Sequence, residues 1–289
     1  MGEAYDALME RMRELDVMGQ IGGLLGWDQE VMMPPKAAAL RAEQLAWLSK
    51  EGHKRMTDPK VGELLSTAEA EVGDDEIEQG NLRIIRDSYD KATKKPVEFV
   101  EEKARHTSKS IVSWTEAREK NDFSIFRDDL AKMIDMSREL AGYLGYDENP
   151  YDALLDLYES GLSVAKLDPL FAGLRESSVP LIKSVSELEN KPDCSWVHKH
   201  PWPKASQEAL SQALSEAIGF DFQAGRRDES THPFCGGSNP DDGRWTTPYD
   251  EKKAYGAIFW NLHATGHALY EQGRARTLGF QTTGGGDGR

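Results

Sequence analysis

Cysteine is nearly absent: two residues, Cys194 and Cys235, occur in 289, and neither stands in a C-x-x-C pair. A disulfide framework is therefore excluded, and thiols this sparse fit a reducing compartment. No run approaches the roughly 20 apolar residues of a membrane-spanning helix. The opening stretch MGEAYDALMERMRELDVMGQ lacks the uninterrupted apolar core of a secretory signal, and Asp6 stands where a myristoylation signal has Ser or Thr. Basic residues are also in deficit, 35 Lys+Arg against 50 Asp+Glu, for a net charge of -15. Such a field repels phosphate backbones and anionic lipid, so neither nucleic acid nor a membrane is expected as a partner. These absences describe a soluble, cytoplasmic protein.

Strand patterns are scarce, and no unit of about 20 to 50 residues repeats, which sets aside a solenoid. What the sequence has instead is helical periodicity broken by short polar or proline-containing links. Leu8, Met12, Leu15 and Met18 share a face over 5–20, and Gly22-Gly23 with Pro34-Pro35 mark a loop. A second helix starts at Pro35 or Lys36 and runs through Leu48, with Leu40, Gln44 and Trp47 along one side. Helices are predicted over 59–72, 75–93 and 96–120, each opening near a proline or an acidic residue, as suits a helix N-terminus. Another begins after Asn121 or Asp122 and stops at the glycine of GYLG. Ser163 caps the next, in which Pro169 and Pro180 predict a kink or a division. A Pro- and Trp-rich link then precedes a helix ending near Gly219.

From Gly219 to Asp250 the texture changes. FDFQAG and RWTTPY alternate as strands do, around the turn-rich DESTHPFCGGSNPDDG. A helix resumes at about Glu251, with Tyr255, Ile258, Phe259, Leu262 and Leu269 as its apolar stripe. The expected organisation is a single, mostly helical domain over 1–289: a helical region 1–218, a β element 219–250, a metal-type helix 251–273 and a flexible tail 280–289.

In that helix, WNLHATGHALYEQG places His263 and His267 four apart, on one face and about a turn from each other, close enough to share a tetrahedral metal ion. A bare H-x-x-x-H is weak evidence, and two ordinary helical histidines fit it as well. In H-E-x-x-H the glutamate takes a proton from zinc-bound water and returns it to the leaving amine. Here that position is Ala264, which can do neither. Gly266 costs the helix about 1 kcal/mol relative to alanine, which suggests close approach by another backbone or a ligand. His232-Pro233-Phe234 and the DDGRWTT segment around Arg244 lie just upstream.

With these elements in this order, the chain resembles the carboxypeptidase Taq family of zinc metallocarboxypeptidases. The resemblance rests on His232-Pro233-Phe234, then Asp242-Gly243-Arg244-Trp245-Thr246 as Asp-x-Arg-x-Thr, then His263 to His267 followed by Ala268 to Gln272. LLGWDQEVMMPPKAAALRAEQLAWLS and YDALLDLYESG also look like family sequence, and matches reach about Gly279. The resemblance implies a mainly α, zincin-like helical metallopeptidase fold with a deep groove and one small β-sheet element beside the histidine helix. It also implies a homodimer that removes single residues from peptide C-termini, with zinc or cobalt as the metal. Carried across, His263 and His267 are metal ligands, and His232 and Arg244 lie near the bound peptide end. A guanidinium suits a carboxylate because it offers planar, bidentate donors. A structural pair with Asp242 is the other reading of Arg244, and a hydrogen-bonded loop role the other reading of His232.

Two departures from the family bear on activity. General base assistance is worth about 10² to 10⁴ in rate, so Ala264 at the base position implies an inactive or strongly impaired enzyme. The ending GFQTTGGGDGR does not resemble the family, and the implied third ligand, a glutamate in a His-Glu-Ser type motif, is expected beyond Arg289; the chain reads as truncated at its C-terminus. Two histidines alone bind metal weakly, because a catalytic zinc has three protein ligands. Glu271, four residues after His267, is a poor substitute, and Asp287 is no better. A helix built to pack on a missing part exposes apolar surface and invites self-association. Three readings stay open: an impaired metallocarboxypeptidase, a non-catalytic descendant that binds peptide ends or a partner, and a purely structural helical protein.

Overall fold

A stretch without proline opens the chain, and in the computed structural model, which describes residues 2–193, 195, 201–236 and 239–274, it forms one helix, α1 (Glu3–Val31). Cys194, the tail 280–289 and Asp287 lie outside the described residues. The loop expected at Gly22-Gly23 is not there. A helical glycine costs only about 1 kcal/mol, and the helix breaks at Met32, where the approach of Pro34-Pro35 disfavours further α geometry. A 3₁₀ turn (Pro35–Ala37) leads into α2 (Ala38–Met56).

The first half of α1 presents Tyr5, Leu8, Met9 and Met12 to Val61, Leu65 and Ala68 of α3 (Pro59–Glu71) and to Leu82 and Ile85 of α4 (Glu76–Thr93). Inside this core the buried Asn81 donates to the Tyr5 hydroxyl at 2.9 Å. Both α3 and α4 start where local chemistry predicts. Asp58 accepts from the backbone N–H of Lys60, and Asp75 from those of Ile77 and Glu78.

The face of α2 turned inward differs from the expected stripe. Ala42 and Ala46 are buried, whereas Leu40 and Trp47 are 62% and 60% exposed. Small side chains let α2 lie close to α5 (Val97–Lys120), and ion pairs close the seam: Arg105 bonds Glu43 at 2.8 Å and Glu101 at 2.9 Å, and Lys50 pairs with Glu101 at 2.7 Å. A second core joins Phe99 of α5 to Met136, Leu140, Ala141 and Leu144 of α6 (Ser124–Leu144) and Ala153 of α7 (Pro150–Leu155). Gly145, at φ 84°, stops α6 as predicted.

Helix α8 (Val164–Ser186) is not divided by Pro169 and Pro180, because each proline removes one hydrogen bond while the turns on either side keep theirs. Ser163 stands at its N-cap position but makes no side-chain capping bond, and no residue of α8 is buried.

After α9 (Lys204–Ala217) the chain forms a three-stranded sheet of β1 (Gly225–Asp228), β2 (Cys235–Gly236) and β3 (Gly243–Thr246), in the order β1-β3-β2. β1 runs parallel to β3 and β2 antiparallel to it. Of FDFQAG only Gly225 enters β1; residues 220–224 precede the strand. Gly219, at φ 97°, turns the chain out of α9 so that Phe220 enters the core beneath Trp245. Helix α10 (Ala254–Gly273) closes the described chain.

α10 also buries a face other than the predicted one. Ala257, Asn261, Ala264, Thr265 and Ala268 face inward, and Phe259 is 69% exposed. Against α9 the seam is polar and made of small residues: Asn261 donates to the Ser211 carbonyl at 3.2 Å, and the Ser215 and Thr265 hydroxyls lie 3.0 Å apart. Among the described residues no helix is long and apolar enough to cross a membrane.

Candidate metal centre

Strand alternation on β3 sends neighbouring residues to opposite faces. Trp245, fully buried, points to α10 and packs with Phe220, Ala264 and Ala268. Arg244 goes to the other face, with its guanidinium 4.8 Å from the centre of the Trp27 ring of α1. β3 thus separates the support of the histidine helix from a cationic face.

On α10 the histidines leave the helix about 100° round from the buried Ala264 and Ala268, His263 exposed and His267 half-buried. His263 Nε2 and His267 Nε2 are 3.2 Å apart, with ring planes at 82°. Two imidazoles held by zinc at about 2.0–2.1 Å in tetrahedral geometry have nitrogens spaced close to this distance, so the pair fits one edge of such a site. An N–H···N hydrogen bond between the two rings fits the distance equally well. Trp260, one turn earlier, lies edge-on to His263, its ring centre 6.2 Å away. Among the described residues no group of three His, Cys, Asp or Glu side chains could hold a metal ion.

Glu271 does not complete the pair. It is buried and bonds Arg274 at 2.5 Å, which makes it a staple of the helix end. Gln272 of the same ALYEQ segment ties α10 to the turn after α9, accepting from the Asp221 N–H at 3.0 Å and donating to its carbonyl at 2.8 Å. Gly266 faces solvent, and a Cβ built there meets nothing within 4 Å among the described residues, so no backbone of that part of the chain approaches this glycine.

His232 is exposed, edge-on to Trp114 of α5 at 6.3 Å. Its loop is pinned by Thr246, which sequence reasoning missed: the fully buried Thr246 hydroxyl accepts from the Phe234 N–H at 3.1 Å and from the Ser230 hydroxyl at 2.5 Å. One residue of the Asp-x-Arg-x-Thr element therefore fixes the His-Pro-Phe segment. Arg244 takes the structural pairing, donating through Nε and an Nη to the two carboxylate oxygens of Asp242 at 2.7 and 3.0 Å. Arg226 was also missed. It lies in register with Arg244 on β1, makes the same bidentate pair with Asp228, and stands 4.7 Å from the Trp27 ring. No hydrogen bond or ring contact among the described residues joins His232 or Arg244 to the α10 histidines.

The same layer determines how Cys235 reacts. Packed in the Trp245 cluster, its thiol is pushed up to about 11, by burial first and by the Glu271 carboxylate second. Only the thiolate attacks disulfide reagents, so at pH 8 in a Cys194→Ser background Cys235 should react about 100-fold more slowly than an ordinary thiol. Denaturant should remove the difference. Rapid labelling of the folded protein would show that the Trp245 layer is open.

Cavities follow the second half of α1. One of about 340 Å³ lies beside Trp27, Asp242 and Arg244. A second, about 300 Å³, is bounded by Glu30, Ile111 and Thr231, next to His232. A third of about 420 Å³ shares Gln29 and Glu30 with the second.

Comparison with known proteins gives consistent matches. The family model described as carboxypeptidase Taq (M32) metallopeptidase matches residues 7–288, past the Gly279 at which the motif resemblance ended. Carboxypeptidase 1 of Bacillus subtilis (strain 168) is 38% identical over 250 residues, covering 86% of this chain and 50% of that protein. Thermostable carboxypeptidase 1 of Thermus thermophilus is 37% identical over 283 residues, covering 93% and 55%. The crystal structure of BsuCP is similar with a TM-score of 0.93 at 33% identity, covering 98% of this chain and 57% of that one. The chain spans about half the length of the curated relatives it matches.

Proposed function

The chain belongs to the carboxypeptidase Taq (M32) family of metallopeptidases, and on that footing we propose that its α10 face binds a divalent metal beside a site for peptide C-termini. The observation that carries this reading is the 3.2 Å approach of the His263 and His267 nitrogens. Both side chains leave one helix face in the convergent geometry that a shared ion needs. Zinc or cobalt held there would supply a Lewis acid that polarises the carbonyl of a peptide bond for hydrolysis.

Arg244 and His232 receive the peptide end in this proposal. Arg244 is suited to a carboxylate by its planar donor pair, and the Asp242 carboxylate is the group a peptide carboxylate would replace on it. Arg226 adds a second guanidinium over Trp27. Ala264 offers no proton acceptor, and its methyl is buried against Trp245. Turnover is accordingly impaired or lost, and the chain then binds peptide ends, or a partner, without hydrolysing them. A homodimer in the cytoplasm belongs to the same proposal.

Zinc titration followed by calorimetry, with metal content of the washed protein, tests the site directly. One zinc per chain is expected, bound more weakly than in a three-ligand site, with affinity lost in both His263→Ala and His267→Ala. Zinc binding that survives both changes would assign the histidines to packing alone. Release of free amino acid from a blocked dipeptide, assayed with added zinc or cobalt, separates the enzyme from the non-catalytic binder.

A further inference from the structure

The third cavity, about 420 Å³ between α1, α2, α5 and α6, lies within the size range of small-molecule sites. Leu45, Phe99, Ile111 and Leu140 make much of its wall apolar. Three charged side chains line the same space, Glu30, Lys95 and Lys103. Lys103 has a partner, and among the described residues the fold leaves Glu30 and Lys95 without one.

Lys95, in the link between α4 and α5, is half-buried, and among the described residues its ammonium makes no ion pair or hydrogen bond. Burial first, then the positive charges of Lys103 and Lys91, hold it below the usual lysine range. Glu30, near the end of α1, is also half-buried and unpaired among the described residues, and burial pushes its carboxyl up. Withdrawing either charge from water without a partner is costly. Opposite charges gain by meeting in such surroundings, yet these two line one cavity without pairing. A ligand that brings the complementary charges satisfies both at once.

We propose that this cavity binds a zwitterionic apolar amino acid or dipeptide, with its carboxylate at Lys95, its ammonium at Glu30, and its side chain against Phe99, Ile111 and Leu140. A carboxylate alone leaves Glu30 unsatisfied, and an amine alone leaves Lys95 so. The site stands apart from the α10 histidines and from Arg244, and binding there requires neither metal nor turnover.

Calorimetric titration of the whole chain without metal tests this, using L-leucine and leucyl-leucine as zwitterions and N-acetyl-leucine and leucinamide as single-charge controls. Saturable binding of a zwitterion is expected, with at least about tenfold weaker binding of either control. The better of leucine and leucyl-leucine identifies the length the cavity takes. Lys95→Met should weaken the zwitterion by about tenfold while leaving leucinamide unchanged, and Glu30→Gln should do the converse with N-acetyl-leucine. Each variant removes an unpaired charge, so thermal stability should be kept or raised, which verifies folding. Arg244→Ala should leave this binding intact; its loss there would move the ligand to the β3 site and overturn the proposal. Absence of zwitterion binding, or binding indifferent to both Lys95→Met and Glu30→Gln, overturns it as well.

Discussion

Trp245→Ala is expected to lower the free energy of unfolding by about 3–5 kcal/mol, read as a shift of the denaturant midpoint at unchanged slope. Trp245 is fully buried and joins the sheet to α10. Its ring centre lies 4.3 Å from that of Phe220, in an edge contact, and 5.7 Å from that of Phe222. The neighbours on α10 are Ala264 and Ala268, whose methyl groups cannot extend into the space an indole vacates. The cavity therefore stays open, and its cost adds to the lost transfer energy. Among the described residues the buried Trp245 indole N–H has no partner, which supplies a control. Trp245→Phe deletes that unsatisfied donor together with part of the ring, and it should cost clearly less than the alanine change. Because α10 rests on this residue, zinc affinity at His263 and His267 should fall with stability. A loss below about 1 kcal/mol for the alanine variant would mean that the sheet does not hold α10 in place.

What the sequence made legible and what it concealed divide along the reach of the interactions. The starts of α3 and α4 and the stop of α6 depend on Asp58, Asp75 and Gly145 acting within a turn of themselves, and such short-range chemistry reads directly. The His263–His267 approach was legible for the same reason, since four residues on a helix fix the geometry. The inward faces of α2 and α10 were not. A sequence pattern marks large apolar residues as core, but these helices use Ala42, Ala46, Ala264 and Ala268 to approach a neighbour that supplies the bulk. For α10 that neighbour is Trp245, and only the folded sheet delivers it. Exposed apolar side chains are common on folded proteins, so Leu40, Trp47 and Phe259 break no physical rule.

The candidate peptide-end residues show the same divide. Arg244 could be found from its motif, but its neighbours Trp27 and Arg226 depend on α1 crossing the sheet and on the parallel register of β1 with β3. At Gly266 the helical glycine suggests close approach by a backbone or a ligand, but among the described residues no backbone comes near it and the residue faces solvent.

Ala264→Glu is expected to be the most informative substitution at the site, and its first effect is on stability. The position is 4% exposed and packed into the cluster of Trp245, Phe220 and Ala268. A longer side chain there costs about 1–3 kcal/mol by overpacking alone. The carboxyl adds a pH-dependent part. Burial raises its folded-state pKa above the unfolded value of about 4.3, and the Glu271 carboxylate, near enough to act on Cys235 of the same cluster, pushes the same way. The unfolded chain therefore gives up the proton first as pH rises. The variant loses stability relative to the parent from about pH 4.3 upward, until the folded pKa is passed. Each tenfold in the acid constant adds about 1.4 kcal/mol to that loss. Below about pH 4 only the steric part remains. Unfolding of parent and variant across pH 3.5 to 8, on the scale set by those acid constants, reads this directly. A difference independent of pH would place the new carboxylate in water.

Zinc supplies the second arm of this experiment, because a cation held by His263 and His267 favours the ionised carboxylate if the side chain reaches it. Added zinc should then stabilise the variant more than the parent. Turnover of a blocked dipeptide should nevertheless remain undetectable in Ala264→Glu. Among the described residues only two histidines converge on the site, and a restored base worth about 10² to 10⁴ in rate does not compensate for a weakly held metal. Clear release of amino acid by this single variant would overturn that account and assign the defect to Ala264 alone.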